Sequence, residues 1–377
     1  MAVYDAIVLG IGGMGSATLY HLARRGRRVL GLERFDLLHE HGSSHGLTRI
    51  IRLAYFEHPA YVPLLLRAYE LWRELEADCG ERLLHITGSV DAGTGGSRVF
   101  EGARLSCEAH DLPHEMMDGA ELSRRFPGYR LPKEIQCLHQ PEGGFLLPER
   151  CIAAHATLAL ARGAELRAHE RVLEWGVRGD DVWVRTERGR YEAARLVICA
   201  GAWAAKLVPE LERLAVPERQ VLAWLEPKHP ELFTPERFPV FNLEVEEGHY
   251  YGLPAFLVPG LKLGKYHHRG EIVDPDAEPR EPDGEDEELL ASFARRCFPD
   301  GAGRTSMLKT CLFTNSPDGH FILDVHPKHP QVAIAAGFSG HGFKFCSVVG
   351  EVMADLVQRG ESTHDLTPFR LGRFASG

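Results

Sequence analysis
An α/β fold in two parts is predicted from this 377-residue sequence by three observations. The apolar run Ala6-Ile7-Val8-Leu9, of the kind that forms a buried parallel strand, passes directly into Gly10-Ile11-Gly12-Gly13-Met14-Gly15. A second apolar strand, Leu196-Val197-Ile198-Cys199-Ala200, ends in Gly201 and Ala202 before Trp203, small residues past which a ligand can approach the backbone closely. A glycine-rich stretch, Gly337-Phe338-Ser339-Gly340-His341-Gly342-Phe343-Lys344, lies near the other end of the chain. Cradling loops at both ends imply one discontinuous, Rossmann-like binding domain, with a second α+β domain carrying a mixed sheet between them. The expected division assigns 1–88, 146–214 and 318–377 to the first domain, and 89–145 and 215–317 to the second.

Each element of the first domain follows from its residues. Ser16 to Arg25 carries Ala17, Tyr20, Leu22 and Ala23 at helical spacing, Gly26 ends the helix, and Val29-Leu30-Gly31-Leu32-Glu33 forms a second strand closing on an acid. Gly10 permits the tight turn, Gly12 lets backbone approach a pyrophosphate, and Gly15 allows close helix–strand packing. The helix N-terminus then offers free N–H groups and the positive end of its dipole to the phosphates. Glu33 can accept hydrogen bonds from both hydroxyls of an adenosine ribose and would repel a 2′-phosphate, which disfavours NADP. The motif alone does not separate FAD from NAD. Further on, Gly143-Gly144-Phe145-Leu146-Leu147-Pro148 leads into an apolar-periodic helix near 149–162, and Arg171-Val172-Leu173 reads as a strand. The acidic stretch Asp274 to Glu288, with prolines at 275, 279 and 282, reads as a solvated loop before a helix.

Composition narrows the function. A hydrophobic share of 44% with 25% charged residues is that of an ordinary globular chain. The net charge of −10 argues against nucleic acid and anionic membranes as partners. No apolar run approaches the roughly 20 residues that span a bilayer. The opening Met1-Ala2-Val3-Tyr4-Asp5 lacks the order of a signal peptide, so a cytoplasmic location is expected. None of the eight cysteines forms a C-x-x-C pair. The pairs His267-His268 and His326-x-x-His329 lack matched carboxylate or cysteine spacing, so no metal site is expected.

Two stretches carry candidate chemistry. Within Gly42-Ser43-Ser44-His45-Gly46-Leu47-Thr48-Arg49-Ile50-Ile51-Arg52, the two arginines would share one face of a helix, beside a Gly/Ser loop suited to capturing an anion. Read alone, two such arginines are better taken as surface ion-pair partners; the neighbouring loop is what points to an anion. Near the C-terminus, Lys309-Thr310-Cys311 precedes the Gly/His/Lys loop, whose backbone N–H groups could face a cofactor ring on which negative charge builds.

With Tyr250-Tyr251-Gly252 and Gly260-Leu261-Lys262-Leu263-Gly264 added, these motifs resemble in order and spacing the flavin-dependent N-methyl amino acid oxidases, the family of the monomeric sarcosine oxidases and of N-methyltryptophan and pipecolate oxidases. The resemblance runs nearly end to end. It implies FAD, bound covalently through Cys311; Arg52 and Lys344 gripping a substrate carboxylate, with Tyr251, His267 and Thr48 lining the pocket; and Lys262 near flavin N5, promoting reaction with oxygen. Arg49 and His45 would pack against the other face of the ring. It further implies cofactor contacts at Gly10, Gly12, Gly13, Met14, Gly15, Glu33, Arg34, Gly42, Ser43, Arg49, Ile50, Val172, Gly201, Trp203, Gly340, His341, Gly342, Phe343 and Lys344.

The implied reaction is oxidative demethylation of sarcosine to glycine, formaldehyde and hydrogen peroxide, by hydride transfer from the N-methyl group to flavin N5 and reoxidation by O2, in a monomer. The alternatives are a bulkier N-methyl or cyclic secondary amino acid as substrate, or an FAD-dependent amino acid dehydrogenase. Three departures from the family pattern bear on that choice. Phe313 replaces a tyrosine, Asn242 replaces a pocket-lining methionine, and one extra residue falls near the histidine matched to His267, for which His268 is the alternative.

Overall fold
The computed structural model describes residues 4–277 and 280–374, so Met1 to Val3, and Glu278 and Pro279 of the acidic stretch, lie outside it. The strand Tyr4–Leu9 is parallel to Val29–Leu32 on one side and to Arg190–Ile198 on the other. Glu165–Arg167 extends the sheet beyond Val29–Leu32, and His329–Ala336 runs parallel to the last residues of Arg190–Ile198. Ile322–His326 and the meander Val172–Arg178 and Asp181–Thr186 bring the sheet to eight strands. The central parallel strands are continuous apolar runs because both faces are covered, with Ile7, Val8, Leu196 and Val197 fully buried.

The helices Gly13–Arg24, Pro148–Ala161 and Cys346–Arg359 pack together over one face of this sheet. The first begins inside the glycine fingerprint at Gly13, earlier than the expected Ser16. Gly15 is obligatory, because a Cβ there would lie 1.7 Å from the Gly10 carbonyl oxygen. Gly10 itself has φ +82°, the left-handed conformation that glycine adopts freely.

A second eight-stranded sheet runs in the order Thr305–Asn315, Val216–Leu225, Leu261–Lys265, Gly248–Leu253, Val240–Val245, Ser89–Gly93, Gln136–Gln140 and Glu115–Asp118. Neighbours are antiparallel except Val240–Val245 with Ser89–Gly93, so the sheet is mixed, as expected. The period of two sorts its residues. Val90, Phe241, Leu243, Leu261, Leu263, Val221 and Ala223 enter a core with Phe293 and Phe298. The residues between them, among them Asp91, Asn242, Tyr251 and Lys262, point the other way. That opposite face is where the site forms.

Two expectations are corrected. Arg49 opens a strand, Arg49–Ile51, in a small sheet with Gly144–Leu146 and Leu84–Ile86, so Arg49 and Arg52 do not share a helix face. Nor is the acidic stretch a solvated loop throughout. Helix Gly284–Cys297 starts within it, Asp283 and Asp286 form its capping box, and Asp286 is a buried ion-pair partner of Arg219 at 2.7 Å. Upstream, Asp276 pairs with Arg34 and accepts from Trp203 Nε1 at 2.9 Å, while Lys206 Nζ reaches Asp274 and Asp276 at 2.5 and 2.7 Å. The second sheet's connecting loop is thereby strapped to segments that follow strands of the first sheet. Among the described residues, no helix is long and apolar enough to cross a membrane.

Candidate active site
A cavity of about 340 Å³ lies where the ends of the first sheet's parallel strands meet the alternating face of the second sheet. This is the place where open α/β sheets bind ligands. One part is walled by the fingerprint, Glu33, Arg34 and Trp203, the other by Tyr251, Lys262, Cys311 and Lys344. Glu33 is buried, its carboxylate accepting from the backbone N–H of Ile11 at 2.8 Å and of Phe35 at 3.1 Å. Gly12 faces open space, a Cβ there meeting only Ser44 Oγ at 3.9 Å. The absence of a side chain there lets a pyrophosphate approach the backbone closely. Thr314 also lines the cavity, and its buried Oγ1 has no partner among the described residues. A dinucleotide with a polar ring system fits these walls.

Of the candidate cofactor contacts, Gly10, Gly12, Gly13, Met14, Glu33, Arg34, Gly42, Ser43, Arg49, Ile50, Val172, Gly201, Trp203 and Gly340 to Lys344 all line the cavity. Gly15 does not, its role being the close helix–strand contact. At Gly340, φ is +79° and a Cβ would strike the Phe313 ring at 2.3 Å, so the loop lies directly on that ring.

Arg49, Cys311 and Lys262 gather on one side. Arg49 Nη2 donates to Ser43 O at 3.0 Å and lies 3.5 Å from Cys311 Sγ. Cys199 and Cys346 line the same cavity, but burial pushes the Cys199 thiol up to about 12 and raises Cys346 well above the ordinary thiol value. Lys262 is buried, with Nζ donating to Gly46 O at 2.7 Å, Thr48 O at 2.7 Å and Thr48 Oγ1 at 3.2 Å. Burial, reinforced by the Arg49 charge, holds its ammonium well below the usual lysine value. Glu149 accepts from the N–H groups of Gly46 and Leu47 at 2.7 and 3.0 Å, which fixes the loop that presents those carbonyls.

A second cluster surrounds Arg52. Its Nη2 meets both Glu57 oxygens at 3.1 and 2.8 Å, Nη1 donates to Ala54 O at 2.5 Å, and the guanidinium stacks on Tyr55 and Phe56. Asp91 lies 3.7 Å from Nε. Burial opposes the Glu57 charge, yet Arg52 brings its pKa down to about 2. Lys344 Nζ donates to His341 O at 2.8 Å, and burial together with the Arg52 charge lowers it to about 7. Trp72 Nε1 holds the Lys344 carbonyl at 2.8 Å. Two cations thus face the same part of the cavity.

His45 and His267 stand outside the cavity lining. His45 is buried, with neither ring nitrogen partnered among the described residues, and burial, then Arg49, holds it down at about 3. His267 is contradicted as a pocket residue. It turns outward, and its Nδ1 pairs with Glu218 at 2.9 Å. His268 is no substitute, since it is buried against Asp286 at 2.9 Å. The extra residue is absorbed in a turn where both histidines have positive φ. Tyr266 enters the cavity instead, packed against Tyr251 and Phe313. Counting by twos from Lys262 through Gly264 would have found it. The same count would have found Asp91 between Val90 and Ala92. No sequence signal marks Glu57 or Thr314.

Fold and cavity together define a dinucleotide-dependent oxidoreductase with a cluster of buried charged groups at one end of the cavity. Residues 5–356 match the family described as FAD dependent oxidoreductase, and the chain belongs to that family. FAD is therefore the dinucleotide that the fingerprint serves. The chain is 43% identical to the monomeric sarcosine oxidase of Streptomyces avermitilis, over 99% of this chain and 98% of that protein. It is 37% identical to the N-methyl-L-tryptophan oxidase of Escherichia coli, over 98% and 99%. Its fold is similar to the open form of NikD, an unusual amino acid oxidase essential for nikkomycin biosynthesis, with a TM-score of 0.85, 28% identity and 97% of each chain covered.

Proposed function
We propose that this protein is an oxidase of secondary amino acids that demethylates sarcosine, converting sarcosine, O2 and water into glycine, formaldehyde and hydrogen peroxide. The observation that carries the reading is the arrangement of one cavity, with the Arg52–Lys344 pair on one side and Lys262, Arg49 and Cys311 on the other. The 43% identity to a monomeric sarcosine oxidase supports it. FAD, when bound, supplies the hydride acceptor and delivers the electrons to oxygen.

The chain's own residues orient the reactants and set the field. Arg52 and Lys344 hold the carboxylate, which fixes the N-methyl carbon relative to the cofactor. Loss of hydride from that carbon leaves a substrate iminium, which water hydrolyses. Lys262 presents an ammonium in a dry pocket, where an electrostatic charge acts strongly on oxygen as it gains an electron. Cys311 is the covalent anchor: of the cavity cysteines it alone has a guanidinium at its sulfur. Arg49 and His45 support the ring, and Thr48 and Tyr251 shape the pocket. The two sheets correspond in this reading to a cofactor domain and a substrate domain. A monomer in the cytoplasm completes it, the monomeric state being in keeping with the name of the bacterial relatives.

The apolar ring of Phe313 in the lining favours a second reading, a bulkier N-methyl or cyclic amino acid. A peroxide-coupled assay with sarcosine, N-methylalanine, N-methyltryptophan, pipecolate, L-proline and D-alanine separates the two. Sarcosine is expected to show the highest kcat/KM; a clear preference for any of the others would displace it.

A further inference from the structure
Asp91 and Asn242 are directly opposite one another on parallel neighbouring strands, and Asn242 Nδ2 donates to Asp91 Oδ1 at 2.9 Å. Both side chains belong to the face of the second sheet that carries the site. Asp91 is fully buried, while Asn242 lines the cavity at 2% exposure. The second Asp91 oxygen is buried without a partner among the described residues. A carboxylate is an acceptor only, so an ionised Asp91 dictates which end of the amide it meets. Nδ2 facing Asp91 Oδ1 is the contact a carboxylate makes; burial raises this carboxyl to about 6, with Arg52 and Asn242 acting against that rise. The Asn242 NH2 is therefore turned inward, leaving Oδ1 for the cavity. Among the described residues nothing donates to that oxygen.

Its position says what it can meet. Arg52, the carboxylate holder, lies 3.7 Å from Asp91, and Asn242 adjoins Asp91 directly. Whatever Asn242 touches is thus close to a carboxylate held at Arg52 and Lys344. In a small amino acid the nearest donor to the carboxylate is the α-nitrogen.

We propose that Asn242 accepts a hydrogen bond from the substrate amine N–H through Oδ1, and that Asp91 is the positioning residue that locks the amide in that orientation. The inference deepens the secondary-amine reading and rests on it. The oxygen selects ligands with a donor beside the carboxylate over isosteres with an acceptor there, and it aims the nitrogen substituents toward the cofactor.

Holoprotein variants N242L, D91V and D91N test this, with sarcosine turnover compared against binding of methoxyacetate, the sarcosine isostere whose ether oxygen replaces the N–H. Loss of one hydrogen bond predicts a fall in sarcosine kcat/KM on the order of tenfold in N242L and D91V. D91N should stay within a few-fold of wild type, because its own carbonyl can still accept from Asn242. Methoxyacetate should bind N242L as well as it binds wild type, or better, since an oxygen–oxygen repulsion is relieved. Three results would overturn the proposal: unchanged sarcosine kinetics in N242L, parallel loss of methoxyacetate binding, or D91N as impaired as D91V. Wild-type protein that oxidises no secondary amino acid defeats the parent reading as well, whereas normal wild-type turnover with indifferent variants defeats only this contact.

Discussion

Lys262 and Thr48 meet twice: Nζ donates to the Thr48 carbonyl at 2.7 Å and to its hydroxyl at 3.2 Å, with Gly46 O as a third acceptor at 2.7 Å. No carboxylate touches the amine, and burial weakens its hold on a proton. When the amine is protonated, its charge is balanced by no carboxylate among the described residues and acts on the cavity. Lys262→Met should slow reoxidation of the reduced enzyme by on the order of 100-fold, the usual loss when one preorganised electrostatic group is removed. The reductive half-reaction should change far less. Stopped-flow mixing with oxygen reads the first rate and anaerobic bleaching by sarcosine the second; equal effects on both would assign Lys262 to substrate binding instead.

Cys311 supports a separate prediction. Acid-precipitated holoprotein should remain yellow, and Cys311→Ala should give a colourless pellet with its FAD in the supernatant. A colourless wild-type pellet would remove the covalent link.

Lys344, lowered to about 7, loses its charge as pH rises through neutrality in the free protein. A carboxylate ligand draws on the protonated form, so its affinity is full below that pH and falls above it. Methoxyacetate binding should weaken by up to roughly tenfold per pH unit on the alkaline side. Titration of the flavin spectrum at several pH values measures the slope, which should vanish in Lys344→Met. Turnover is expected to run the other way at first, rising from neutral to alkaline pH as the substrate amine becomes neutral. A flat reductive half-reaction between about pH 6 and 10 would contradict that.

Glu57 neutralises a fully buried arginine. Glu57→Gln leaves Arg52 with Asp91 as its remaining carboxylate neighbour and should lower unfolding stability by about 3 kcal/mol. Urea denaturation would show this as a reduced midpoint with unchanged slope.

Gly15→Ala would place a methyl 1.7 Å from the Gly10 carbonyl. Relief requires the helix to move off the strand, at a cost of about 3 kcal/mol, with loss of FAD retention on gel filtration as the companion readout.

The sequence revealed most where local chemistry and tertiary position coincide. The fingerprint could be read because strand, turn and helix are contiguous, and Gly10, Gly12 and Gly15 each answer a backbone requirement. Arg49 and Arg52 were legible as a pair but not in their geometry, since the same spacing that shares a helix face divides a strand. Arg49 therefore turns to Cys311, and Arg52 to Glu57. His267 failed for a different reason: an inserted residue shifts register, and the turn expels the histidine while Tyr266 keeps the strand's inward phase. Asp91 and Glu57 are ordinary acids in the sequence; only the packing of strands remote in the chain makes them buried partners of one guanidinium. The acidic stretch likewise looked solvated because its partners, Arg34, Trp203, Lys206 and Arg219, lie far away in sequence.

The strap formed by Asp274 and Asp276 across Arg34, Trp203 and Lys206 has a consequence for assembly. Arg34, Trp203, Lys206 and Asp276 line the same cavity as the fingerprint and Glu33, and the strap's ionic contacts are partly exposed and individually weak. Such contacts open readily and are weakened by salt. A cofactor entering at this end would pass ion pairs that salt loosens, so its loading rate should rise with ionic strength.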